Sequence, residues 1–349
     1  MTYYLTFASL LIVNVLASVR HDLRQISYWA VLLGLFVFVG FRGLVGCDWI
    51  GYMGHFLTVS QLAEADALLA SFPTLEPAEV ALLYLLQRLN MSLVALNVIS
   101  ASFFFAGLHV LARRQPNPLA FIVLAFPILI INMPMSAVRQ AVAIGFLCFA
   151  YAAFLDRRIW RYCLFVLCGT LFHYSAAVFL VLAPFIRKEI TKKSIMQSFL
   201  VALPVCCCLL FFASGDRESL SYVDGSRVAK GAVYRLGLLA MTGLVFFSFL
   251  KKRWKESFPN DVKLVTLNAL AMILLFFVIP VSTIIGDRYG YYLIPAQLMI
   301  LVRLPYLFQN HYRQVITAAP YIILTLTFIV WTIGSVHFHR CYLPYHMFF

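Results

Sequence analysis

Apolar residues dominate this chain in long runs separated by short polar links. The runs fall at approximately 3–19, 26–42, 92–112, 119–132, 136–155, 159–186, 195–213, 233–250, 263–285, 289–307 and 315–334. A stretch of about 18 or more apolar residues reads as a transmembrane helix. Their recurrence from end to end excludes a single anchor. It predicts an all-α, polytopic membrane protein with eleven to twelve transmembrane helices in one membrane domain over residues 1–349. The first run lacks a basic leader and reads as a span in its own right, not as a cleavable signal.

The polar links carry the sidedness. Short links hold Arg20 and Arg24; Arg113 and Arg114; Arg157, Arg158 and Arg161; Arg187, Lys188, Lys192 and Lys193; and Lys251, Lys252, Arg253 and Lys255. Basic residues accumulate on the cytoplasmic side of membrane proteins. With Lys263, Arg303 and Arg313, 18 of the 27 Lys and Arg fall on that face, against five of the 14 acids. The N-terminus, a long loop over 43–91, a loop over 214–232 and the C-terminal tail are then outside. The loop over 43–91 holds Asp48, Glu64, Asp66, Glu76 and Glu79 against Arg88 alone.

One run does not fit this alternation. Residues 159–186 lie between two basic links, yet are too few to cross a ~30 Å core twice as full helices. Either 187–193 is external, or the run is a hairpin of two short helices folding back at "LFHYS", 171–175. The hairpin is preferred, because it keeps every later basic link on one side. It puts His173 in or near a cavity that satisfies the interrupted backbone.

Composition narrows the class. The chain is 63% hydrophobic and 12% charged, where a soluble domain averages about 25% charged residues. The net charge of +13 is a signal of topology and calls for no nucleic-acid partner. Of the eight cysteines, Cys148, Cys163, Cys168 and the consecutive Cys206, Cys207 and Cys208 lie in apolar runs and read as small hydrophobes. Cys47 and Cys341 both fall outside the cytoplasm, so a bridge is open to them, but nothing in the pattern demands it. No zinc-spaced cysteine pairs, P-loop, GxGxxG or HExxH occurs. No metal or cofactor is therefore called for.

Polar residues from four separate stretches converge on the outer leaflet. Arg42 ends the second run and Asp48 follows in "FRGLVGCDWIGYMGHF". Arg139 and Gln140 open the fifth run in "MPMSAVRQAVAIGF". Asp287 and Arg288 stand at the outer turn in "IIGDRYGYYL". Each has an ordinary reading: Arg42 snorkelling to head groups, Asp287 and Arg288 an ion pair or helix start, Asp48 a loop carboxylate, His173 a satisfied core histidine. As a group they are harder to dismiss, since ionisable side chains at membrane depth usually face a bundle interior. Three guanidinium groups around one cavity suit a phosphate or pyrophosphate. Trp49, Tyr52, Tyr174, Tyr289, Tyr291 and Tyr292 would stack on sugars, or form an interfacial belt.

These stretches also resemble a known family. "FRGLVGCDWIGY" is similar to the R-x-x-x-G-x-D-x-x-x-Y signature of EpsG-type, Wzy-like polysaccharide polymerases. "MPMSAVRQAVAIGF" resembles their N-x-x-R-Q-x-x-A-x-G segment, departing from it in the apolar lead after Asn132. "LFHYSAAVFLV", "DRYGYYL" and the terminal "LPY" (343–345) follow in the family's order. The resemblance implies a GT-C-like inner-membrane glycosyltransferase. It would join oligosaccharide repeat units carried on undecaprenyl diphosphate, at the outer face, into O-antigen, capsule or exopolysaccharide. Membrane lipids surround such an enzyme, and a chain-length regulator and flippase of the same pathway are its expected partners.

The expected chemistry is a metal-independent inverting transfer. Arg139 and Arg288, with Arg42 in support, would stabilise the departing pyrophosphate, and Asp48 or His173 would serve as base. Tyr52, Gln140, Asp287 and Tyr289 would contact the substrate. Three rivals are a ligase moving glycan to another lipid acceptor, a flippase or transporter, and a structural membrane subunit, which would tolerate loss of Arg139. A transporter usually shows two corresponding halves with broken spans at the midplane, and no such repeat is evident.

Overall fold

The computed structural model describes residues 1–61, 76–214, 229, 231–308 and 312–348. The expected 214–232 loop, apart from its few described residues, and Glu64 and Asp66 lie outside that set, as do the side chains of Cys206, Cys207 and Cys208. The described regular elements are all helical. In chain order they are α1 (Thr2–Val19), α2 (Arg24–Gly40), α3 (Trp49–Gln61), α4 (Pro77–Arg88), α5 (Leu93–Ala112), α6 (Pro118–Ala125), α7 (Val138–Leu155), α8 (Ile159–Phe172), a 3-10 segment (Tyr174–Phe185), α9 (Lys192–Ser214), α10 (Ala232–Val245), α11 (Lys251–Ser257), α12 (Val262–Phe276), α13 (Thr283–Leu307), α14 (Arg313–Gly334) and α15 (Val336–Cys341). Single π-helical turns follow α6 at Phe126–Ile130 and α10 at Phe246–Leu250.

Five described helices are long and apolar enough to cross a bilayer unaided: α1, α5, α7, the continuous Ala232–Ser257 and α14. Each matches an expected run. Other runs fall on shorter apolar helices, among them α2, α6, α8 and α12. The 43–91 loop is itself partly helical, in α3 and α4. Pro77 starts α4, where its missing N–H has no helical partner to lose.

Residues 159–186 fold back on themselves. The α-helix stops at His173, whose backbone is extended at φ −155° and ψ 112°. The hydroxyl of Tyr162 donates to the carbonyl of Phe179 at 2.6 Å, so the arms of the hairpin run side by side with His173 at the tip. Ser175 seats the tip on α13 by donating to the Tyr292 hydroxyl at 3.1 Å.

Helix α5 packs directly on α7. A Cβ on Gly107 would meet the Gly145 carbonyl oxygen at 2.0 Å, so these helices touch at a spacing that only glycine permits. Charged groups collect at the two ends of the bundle. One end joins Arg114 to Asp156 at 2.9 Å and buried Arg303 to Asp261 and Gln115. At the other end lie Arg42, Arg139, His173, Asp287 and the C-terminal tail.

That tail clasps the loop after α2. Cys47 and Cys341 form a disulfide across 294 residues, a pairing that sequence pattern alone did not demand. Gly43 N–H donates to the His346 carbonyl and Gly46 N–H to that of Cys341, both at 2.8 Å. Tyr345, from the terminal "LPY", stacks on Phe38 with ring centres 4.6 Å apart and donates to its carbonyl at 2.7 Å. Gly46 itself has φ +109°, and a Cβ there would lie 2.0 Å from the Met135 carbonyl oxygen. Only glycine lets this loop press on the turn that leads into Arg139.

Candidate active site

The centre of the outer cluster is an arginine between two glutamates. Arg139 is the second residue of α7, and its Nη1 donates to Glu76 and, at 3.0 Å, to Glu79. Both acids belong to the start of α4, Glu76 as its N-cap and Glu79 in its first turn. Each glutamate also holds a histidine. His173 Nδ1 lies 2.9 Å from Glu76 Oε1, and His55 Nδ1, on α3, lies 2.9 Å from Glu79 Oε1. The result is a chain: His55, Glu79, Arg139, Glu76, His173. Tyr52 packs beneath it, its ring 5.9 Å from the guanidinium centre and its hydroxyl accepting from the Arg139 amide at 3.4 Å.

The electrostatics follow from burial and pairing. The Glu79 side chain is 1% exposed and that of Glu76 9%, while Arg139 and His55 each keep 30%. Burial pushes the Glu76 carboxyl pKa upward, but the hydrogen bond from His173 and the charge of Arg139 outweigh it and hold it at about 2. Two carboxyl groups thus share one guanidinium. A cavity of about 10 Å³ beside Tyr52, Glu79, Arg139 and Phe172 has room for about one water.

The other predicted residues divide around this centre. Gln140 is buried, and its Nε2 donates to the Arg288 carbonyl at 2.6 Å, tying α7 to α13. Arg288 is half-buried and close enough to act electrostatically on His173 and Tyr292. Tyr289 beside it is half-buried, and Asp48 is exposed at the start of α3. Asp287 turns to another face of α13, where Arg235 grips it through two hydrogen bonds of 2.7 and 2.6 Å. Its ion pair is therefore with Arg235 and not with its neighbour Arg288.

Two expectations change. Arg42 is 1% exposed, and its guanidinium donates to the carbonyls of Val39 and Val45 at 2.8 and 3.3 Å. It locks the loop that the tail clasps, and no ligand reaches it there. Arg139, assigned above to a phosphate, has its Nη1 committed to two carboxylates. Glu76, Glu79, His55 and Arg235 were missed as site residues. The signal available was two acids, three residues apart, flanking the proline that opens an amphipathic run. Of groups that could hold a metal, the ligand atoms of Cys47, His337 and Cys341 lie within 4.8 Å of one another, but the two sulfurs are bonded to each other.

One family model, for the EpsG family, matches the chain over residues 25–347, a span that contains all the residues of this cluster. The chain belongs to the EpsG family. Membership carries membrane residence and a polysaccharide-polymerising, glycosyltransferase-like activity. No curated protein and no solved structure matches the chain. Within the family's span, the R-Q pair is Arg139 and Gln140, which join α4 and α13 to α7. The F-H-x-S block is the hairpin tip, with His173 on Glu76 and Ser175 on Tyr292.

Proposed function

We propose that this EpsG-family protein polymerises oligosaccharide repeat units carried on undecaprenyl diphosphate, at the outer face of the bacterial inner membrane. The observation that supports it is the contact of His173 with Glu76, in a cluster that also holds Arg139. With Nδ1 donating to Glu76, His173 keeps its lone pair on Nε2 and is oriented as a base. A hydroxyl of the incoming repeat unit attacks the anomeric carbon of the growing glycan. The new bond forms from that hydroxyl oxygen, its proton passes to His173 Nε2, and the bond from the anomeric carbon to the diphosphate oxygen breaks. Configuration inverts.

The two carboxyl groups around Arg139 suit sugar hydroxyls and the positive character of the reacting sugar ring, and a guanidinium already held by them is poorly placed for a diphosphate. The diphosphate's developing charge falls instead to Arg288, across α7 and α13. Preorganised charge of this kind is usually the largest catalytic contribution. Arg139 holds both glutamates, and through Glu76 the histidine, in register.

The decisive test is purified protein with a lipid-linked repeat unit, resolved on a gel. A ladder of products differing by one repeat supports the reading. A single product on a different lipid acceptor would assign a ligase instead, and movement of the lipid without new glycosidic bonds a transporter.

A further inference from the structure

The outer cluster holds two histidines, and the chemistry above uses one. His55 is held in the same way as His173: each turns Nδ1 to a glutamate at the start of α4 at 2.9 Å, His173 to Glu76 and His55 to Glu79. Both glutamates give their other carboxyl oxygen to Arg139 Nη1. The guanidinium is therefore the midpoint of a row with an imidazole at each end.

The two ends have different neighbours. At the His173 end, Arg288 acts electrostatically on the imidazole, and the bond from Ser175 to Tyr292 seats the hairpin tip on α13. At the His55 end, the Tyr52 ring meets the imidazole edge to face with centres 6.3 Å apart. Gln87 of α4 donates to the Phe56 carbonyl beside His55, so α3 is fixed to the helix that carries both acids. The His55 side chain is twice as exposed as that of His173, 30% against 15%. Its Nε2 has no hydrogen-bond partner among the described residues. Glu79 already bonds Arg139 at 3.0 Å, so the imidazole is not there to rescue a lone buried acid.

This order assigns the substrate's parts. With the diphosphate at Arg288 and the reacting hydroxyl at His173, the rest of the incoming sugar lies along the row, past Arg139 toward His55. Sugar hydroxyls are uncharged donors and acceptors, and they suit a ring nitrogen set beside carboxyl groups, where a phosphate does not. We infer that His55 Nε2 binds a second hydroxyl of the incoming repeat unit, and so helps to set which acceptor is used. The inference rests on the polymerase reading and deepens it.

The test uses the full chain in nanodiscs, with lipid-linked repeat unit as donor. The acceptor is the free oligosaccharide that mild acid releases from the same repeat unit. Its binding is read without turnover by saturation-transfer NMR, and its use as acceptor by transfer on a gel. His55→Ala should weaken binding and raise the acceptor KM about tenfold, equivalent to about 1.4 kcal/mol. The loss should fall on KM and not on kcat, as for an interaction made equally in ground and transition states. Two amides separate contact from support: Gln sets its amide near the place of the ring's Nε2, and Asn near that of Nδ1. His55→Gln should recover the acceptor KM and His55→Asn should not. The opposite pattern, or a fall in kcat with acceptor KM unchanged, would make His55 a prop for Glu79 and overturn the inference. Polymerisation by a wild type that does not bind the oligosaccharide would overturn it too. Binding with the expected pattern of variants, but with no new glycosidic bond, would sink the polymerase reading and leave the sugar contact standing.

Discussion

His173 and Glu76 are 97 residues apart and 2.9 Å from each other, Nδ1 to Oε1, and Arg139 closes the contact from a third element. Replacing His173 with Gln keeps a hydrogen-bonding side chain but removes proton exchange near neutrality. Turnover should fall by about 10²–10⁴-fold, the usual contribution of a positioned base, with membrane insertion unchanged. Glu76→Gln should lower turnover by less and shift its pH profile, because the histidine stays while its orienting charge goes. A His173→Gln variant with undiminished turnover from pH 6 to 8 would return the role to Asp48.

Arg139 separates charge from geometry. Arg139→Ala leaves two carboxyl groups, nine-tenths buried or more, without their cation. Breaking a buried pair in this way costs about 3–5 kcal/mol, so both polymer and thermal stability should drop. Arg139→Lys restores the charge without the planar fork, and should recover stability more than turnover. Equal recovery of both would show that Arg139 acts as a charge alone. Measuring unfolding in detergent beside polymer length distinguishes the outcomes.

The depressed pKa of Glu76 fixes a window. A carboxyl held at about 2 in the folded protein, against an ordinary value near 4.5, stabilises the fold wherever the unfolded chain would also be ionised. That contribution is complete above about pH 5 and is lost as pH falls from the ordinary value toward 2. The difference in Tm between wild type and Glu76→Gln should therefore be flat from pH 5 to 8 and shrink below about 4.5. A difference that shrank between pH 6 and 8 would instead place the titration on a histidine.

Much of this arrangement was legible in the chain, for physical reasons that differ by feature. Bilayer thickness imposes run length, so helices such as α5, α7 and α14 stand where apolar runs predicted them. The break at "LFHYS" followed from counting residues against that thickness. Glu76 and Glu79 left only the pair of acids around Pro77, and His55 no trace: their partners are set by how α3 and α4 pack over α7, and nothing periodic marks contacts spanning 24 to 97 residues. Arg42 misled for a related reason. Its partners are the backbone carbonyls of Val39 and Val45, and one carbonyl looks like another in sequence. Arg235 was hidden inside the apolar run 233–250, because its partner Asp287 lies 52 residues away.

Sidedness is open to direct labelling. Cysteine placed at Ile50, exposed on α3, should react with an impermeant reagent added to intact cells, while cysteine at Lys252, exposed on α11, should react only after permeabilisation. The reverse pattern would move the Glu76–Arg139–His173 cluster to the cytoplasm and remove outer-face chemistry.

The disulfide offers the last test, because it ties the loop that shapes the Arg139 turn to a tail nearly 300 residues away. Loop closure of this length constrains the unfolded chain, and native bridges typically contribute about 2–4 kcal/mol. Cys47→Ser should lower thermal stability by that order and free the tail, whose Tyr345 then loses its hold on Phe38. The effect should reach the site through Gly46 and the 132–137 turn, since the Cys47 amide also donates to Ser136 Oγ at 3.1 Å. Turnover should therefore fall in the Cys47→Ser variant, and Cys341→Ser should match it, with no further loss in the double variant. Protease cleavage within 336–348 should rise in parallel. Two single variants that differed in stability, or whose losses added, would show that the cysteines act separately and that the clasp is held by its backbone hydrogen bonds alone.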